Sequence, residues 1–344
     1  PVQVSEASSA PADSPVAPTA TPTPTPEPTP TPEPTATPTA TATPTPADEP
    51  LAFHWGKTTE ELEVFPADDV EQSTIDLVLE WAQLGIDTWG NYGPLEIYIV
   101  GNDHDAAKKL EDEFCERHKK LDPKWRVKWD CASEHYEIFT GYVRDGGAAI
   151  SSWFRDYIDY HFAALIMGPK YPFPDEEDYK VVTLHEWFHL YQHSHISDIE
   201  INGDKSGRKN KMGGEEKPWF SEGSAEFMAQ LLYSKQPGVH QNYLKDTMRR
   251  KYESVPDYFA YGKNLKDLTY SDSIRTYDIG TWFIAYLVHQ FGEDTLVNDF
   301  YKDLDVLGFE GSFSKHFKAS SDVLVSEFDT FIADGLEKSL EIIP

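Results

Sequence analysis

The sequence predicts an α+β fold, with an N-terminal mixed α/β lobe built on a small sheet and a mostly helical C-terminal lobe. Three observations predict it. Residues 1–50 have a composition that cannot fold, strand-like and helix-like patterns alternate from there to about residue 176, and helical patterns dominate after it. The first stretch holds 15 of the 25 prolines and 12 threonines, with no aromatic residue, glycine, lysine or arginine. It buries too little apolar surface to offset its ordering entropy, so a disordered, extended Thr/Pro-rich tether is expected. All 9 Trp, 18 Tyr and 19 Phe of the 344-residue chain fall in residues 51–344, which is ample for one large domain.

Within that domain, residues 67–86 read as a helix. Pro66 precedes an acidic first turn (Asp68, Asp69, Glu71), and Ile75, Leu77, Val78 and Trp81 follow at helical spacing. The run Leu95–Val100 alternates and is rich in β-formers, which predicts a strand; residues 103–119 predict an amphipathic helix. Strands are expected at Trp125–Trp129, Tyr136–Tyr142 and Phe162–Met167, the last closed by Gly168 and Pro169. Helices are expected over 177–193, 218–234, 239–252, 275–290, 293–302 and 321–339. The α/β lobe thus spans 51–195 and the helical lobe 218–344, with a polar insertion loop at 196–217.

Charge and composition narrow the class. The formal net charge is −29, and residues 1–50 contribute only six of the acids. A surface this negative argues against nucleic-acid partners. No run of 18 apolar residues exists, so no transmembrane segment is expected. The Thr-Pro repeat of residues 21–46 is typical of stalks that hold a domain away from a cell surface, and an interdomain linker has the same composition. A start at Pro1 rather than Met reads as a processed product whose signal peptide is already gone. Cys115 and Cys131 are the two cysteines, too few for a zinc cluster. In an exported chain they would pair and close a short loop, and the tail favours export.

Chemistry concentrates in His185-Glu186-Trp187-Phe188-His189. This is the HExxH pattern of zinc metalloproteases. Residues i and i+4 share a helix face, so two imidazoles can converge on one ion. Glu186 flanks the metal, where it can take a proton from the attacking water and later deliver it to the leaving amine. Two residues compete for the third ligand position. His195 has metzincin spacing, but that pattern needs glycine where Gln192 stands, because the chain must leave the helix there at positive φ. Glu222 lies in Pro218-Trp219-Phe220-Ser221-Glu222-Gly223-Ser224-Ala225-Glu226-Phe227, one helical turn before Glu226. There Glu222 would ligate, and Glu226 could accept the outer N–H of a ligand histidine.

These elements resemble the gluzincin metallopeptidases of the thermolysin and M1-aminopeptidase type, within the peptidase MA superfamily. The Glu222 segment is similar to their Trp-x-x-Glu-Gly-x-x-x-Glu helix. The resemblance implies Glu222 as third zinc ligand and Glu226 as its outer partner. Tyr277-Asp278-Ile279-Gly280-Thr281-Trp282-Phe283-Ile284-Ala285-Tyr286-Leu287 resembles the Tyr-x-x-Gly helix of M1-type enzymes. That implies Tyr277 as the donor to the oxyanion of the tetrahedral intermediate. It further implies one Zn2+ per chain in a cleft between the two lobes, and an edge strand before the zinc helix that pairs with substrate, for which Phe162–Met167 is in place. The three elements cover roughly residues 177–292.

Two departures bear on function. His189 and Glu222 are separated by 32 residues, more than is usual in the family, and the surplus is a polar loop. The Gly-Ala-Met-Glu-Asn segment that holds a free substrate amine in M1-type exopeptidases is absent, which favours an endopeptidase and places the chain nearer the compact bacterial members. The expected function is therefore a secreted or surface-tethered zinc peptidase acting on peptide or protein substrates, attached through its N-terminal tether. A non-catalytic, stalked adhesion module that retains the fold is the alternative. A metzincin with His195 as ligand is a third reading.

Overall fold

A computed structural model of the chain describes residues 62–92, 94–121, 137–146, 149–154, 162–168, 179–196, 217–272 and 274–344. The Thr/Pro-rich stretch, the expected strand at 125–129, Cys131 and nearly all of the insertion loop lie outside them. The expected α+β content is borne out: a small sheet accompanies a large complement of helices.

The sheet has four strands, β1 (Leu62–Pro66), β2 (Leu95–Ile99), β3 (Ala149–Phe154) and β4 (Phe162–Met167), in the order β1-β2-β4-β3. β1, β2 and β4 are parallel, and β3 runs antiparallel to β4 at one edge. β2 is buried at every position, as a parallel strand covered on both faces must be. Leu95, Ile97 and Ile99 point into the main core, whereas Tyr98 and Val100 face a smaller cluster. That smaller cluster is completed by Ala107, Leu110, Phe114 and Cys115 of helix α2 (His104–Leu121). Helix α1 (Gln72–Trp89) lies on the opposite face, where Val78, Trp81, Ala82 and Trp89 join the main core.

Several expectations are corrected here. β1 precedes α1, and Pro66 ends that strand instead of opening a helix; the edge position spares the missing N–H. Where a strand was expected over Tyr136–Tyr142, the chain forms a helical turn, α3 (Phe139–Gly141), that continues as a π turn to Gly146. The buried Glu111 carboxylate accepts from Phe139 N at 2.8 Å and fixes the start of that turn. β3 was hidden by its Ser-Ser pair. β4 matches its expected bounds, yet it is internal, between β2 and β3. The edge strand before the histidine helix is therefore β3.

The helical part comprises α4 (Val181–Ser194), α5 (Ser221–Ser234), α6 (Tyr243–Tyr252), α7 (Val255–Tyr261), α8 (Ile274–Phe291), α9 (Tyr301–Phe317), α10 (Ser321–Ile332) and α11 (Leu336–Leu340). The helix expected over 321–339 is two, because Gly335 sits at φ 109° between them. α9 bends at Gly308, whose φ is 68°. One apolar cluster runs from the sheet and α1 through α4 and α5 to α8, α9 and α10.

α5 and α8 cross at two glycines. A Cβ on Gly223 would lie 2.4 Å from the carbonyl carbon of Gly280, and one on Gly280 would lie 2.4 Å from Trp219 O. Backbone stands against backbone, so neither side can yield cheaply. Gly223→Ala is expected to destabilise the fold by about 1–3 kcal/mol or more, read as a lower denaturant midpoint. The glycine of the Glu222-Gly223 pair is thus a packing requirement that brings the Tyr277 helix against the Glu222 helix.

Candidate metal centre

His185 and His189 stand one turn apart on α4, a helix buried along most of its length. Glu222 and Glu226 stand one turn apart on α5, which packs against it. The four buried residues meet at the contact between the helices. Glu222 Oε2 lies 3.2 Å from His185 Nε2 and 3.0 Å from His189 Nε2, and the two Nε2 atoms are 3.1 Å apart. Among the described residues, His185, His189 and Glu222 form the group of ligand-type atoms close enough to share one ion, all within 4.8 Å of one another.

The outer face of each residue explains why the inner atoms converge. His185 Nδ1 lies 3.0 Å from Glu226 Oε2. The other Glu226 oxygen is held by Lys251 Nζ at 2.8 Å and Gln230 Nε2 at 3.0 Å. Glu226 is buried, which favours its neutral form, but Lys251 and then His185 outweigh burial and hold it well below the usual carboxylate range. An ionised carboxylate only accepts, so His185 Nδ1 carries the proton. His189 Nδ1 lies 2.8 Å from Gln192 Oε1. Gln192 Nε2 points at the backbone oxygen of Ser221 at 2.9 Å, an acceptor, which fixes the orientation of the amide. His189 Nδ1 is then also a donor. Tyr270 O–H donates to Glu222 Oε1 at 3.0 Å and leaves Oε2 toward the imidazoles.

Two Nε2 atoms and one carboxylate oxygen therefore face each other, close enough that positive charge, a proton or a cation, is needed between them. That donor set fits a cation, and three N/O ligands are the number catalytic zinc sites use. Electrostatics agree. Burial opposes charge on His185, yet its hydrogen bonds to the Glu222 and Glu226 carboxylates hold it well above the usual imidazole value. Burial likewise opposes charge on His189, and the Glu222 carboxylate raises it all the same. Glu222 is buried too, and His189 and His185 hold it well below the carboxylate range. The cluster attracts positive charge.

Glu186 is half-buried beside this group. Tyr142 and Tyr277 both lie within its electrostatic reach. Burial first, and the Glu186 charge after it, hold the Tyr142 phenol above its ordinary value. Tyr277 is raised by burial, then by Glu222, Tyr270 and Glu186, so it stays a neutral O–H donor at physiological pH. Its ring stacks on His185 with centroids 6.4 Å apart. Comparison with protein-family models, curated proteins and solved structures finds no match to this chain.

The structure brings together His185, His189, Glu222, Glu226, Glu186 and Tyr277. It does not bring His195 to them. That residue closes α4, with Nδ1 2.8 Å from Tyr191 O and 2.9 Å from Ser194 Oγ. Its ring packs on Tyr191 and Tyr92, and burial pulls its pKa down to about 4. Cys115 is buried on α2, and the pairing with Cys131 falls outside the described residues. Three site residues were missed from sequence: Gln192, Tyr270 and Lys251. Gln192 alone carried a signal, since it lies three residues after His189 and hence on the same helix face.

Proposed function

We propose that this chain is a zinc-dependent peptidase that acts within peptide chains. The observation that carries the reading is the convergence of His185 Nε2, His189 Nε2 and Glu222 Oε2, each oriented from behind by a hydrogen-bonded partner: Glu226, Gln192 and Tyr270. His185, His189 and Glu222 would hold one zinc ion. Zinc, when bound, supplies a Lewis acid that polarises a carbonyl and makes water a nucleophile near neutral pH.

The chain's own residues account for the rest. Glu186 follows the first ligand histidine and serves as the general base toward the attacking water, then as the acid toward the leaving amine. Tyr277 keeps its phenolic proton and can donate it as a hydrogen bond to developing negative charge on the carbonyl oxygen. Tyr270, half exposed beside Glu222, forms part of the wall that a substrate would meet. Among the described residues β3 pairs with β4 alone, and α4 packs on it. An extended peptide adding to the outer side of β3 would run beside the histidine helix.

No helix among the described residues is long and apolar enough to cross a membrane. The extracellular, surface-tethered setting we propose rests on the composition of residues 1–50. Digestion of a peptide library by the full chain tests the activity. Cleavage at internal bonds that stops with chelator and returns with Zn2+ is expected. Zinc bound without cleavage of any member would favour the stalked binding module instead.

A further inference from the structure

The carboxylate behind His185 is anchored by a buried cation. Lys251 on α6 is 6% exposed, and its Nζ lies 2.8 Å from Glu226 Oε1 and 3.6 Å from Asp278 Oδ1. It joins α6 to the Glu222 helix α5 and to the Tyr277 helix α8. Gln230 reinforces the first link: its Nε2 donates to Glu226 Oε1 at 3.0 Å, and its own Oε1 accepts from Tyr243 O–H at 2.8 Å. Ser254 O–H donates to Asp278, the residue that follows Tyr277. With Oε1 of Glu226 held by two donors, Oε2 is turned toward His185 Nδ1, 3.0 Å away.

A buried ion pair is weak ground for stability, because desolvation offsets most of its attraction. This pair has a more specific consequence. Two carboxylates from different helices lie within reach of one ammonium group. Without that charge they would repel, and Glu226 would turn from His185. We infer that Lys251 is a positioning residue of the metal centre, which fixes Glu226 so that His185 presents Nε2 inward and ties that ligand to the helix carrying Tyr277. The inference rests on the metal reading of His185, His189 and Glu222.

Zn2+ titration of the full chain by calorimetry tests it, with circular dichroism as the check on folding. Lys251→Met, or Lys251→Gln should the apolar variant not fold, is expected to weaken Zn2+ binding about tenfold, the lower end for loss of an outer partner. Glu226→Gln is expected to weaken it by roughly ten- to a hundredfold. The double variant should bind no more weakly than Glu226→Gln alone, because Lys251 acts through Glu226. Unchanged affinity in whichever Lys251 variant folds overturns the inference, and so do two losses that multiply in the double variant. A merely structural lysine would give that multiplication. If the wild-type chain takes up no Zn2+, the metal reading itself fails and takes this inference with it. Failure confined to the variants leaves that reading standing.

Discussion

Glu186→Gln is expected to abolish hydrolysis while the protein remains folded and keeps its zinc. The substitution preserves the size of a half-buried side chain and removes only its ability to take up a proton. Glu186 lies outside the three residues whose ligand atoms converge, so the metal should stay. General acid–base residues contribute roughly 10²–10⁴-fold, and this carboxylate is asked to act twice in one turnover, so the upper end of that range is expected in kcat. The check is peptide turnover together with zinc content on the same preparation. Turnover equal to wild type would remove Glu186 from the chemistry.

Glu222→Ala is expected to strip the metal, and His195→Ala to leave it in place. Glu222 Oε2 touches both imidazoles, and the rest of its carboxylate is held by Tyr270. Its loss removes a ligand and leaves two histidines, so the fall in Zn2+ affinity should exceed the roughly ten- to a hundredfold cost of losing an outer partner. His195 instead spends its Nδ1 on Tyr191 O and Ser194 Oγ at the end of α4. Zinc retention in the two purified variants decides between the competing third ligands. Loss of zinc in His195→Ala with retention in Glu222→Ala would reverse the assignment.

What was legible in the sequence was whatever local spacing decides. His185 and His189 at i and i+4 must share a face of any helix they form, and so must Glu222 and Glu226. Long apolar patterns located most helices to within a few residues. What escaped depends on partners distant in the chain. Lys251 and Tyr270 carry no local signal, and α6 and the turn before α8 bring them to α5. Gln192 was legible as a residue that keeps α4 going, but its grip on His189 depends on Ser221 O, 29 residues on. β1 and β3 were missed because edge strands need fewer apolar residues than the buried β2. A helical turn stands in place of the strand expected over Tyr136–Tyr142 because its start is set by Glu111, a side chain from another element.

In the proposed reading α4 and α5 together form one cation site. Metal analysis of the purified full chain, after dialysis against metal-free buffer, tests it most directly. About one zinc per chain is expected, removed by a strong chelator and restored on adding Zn2+. A folded wild-type chain that holds no zinc and takes none up would contradict it.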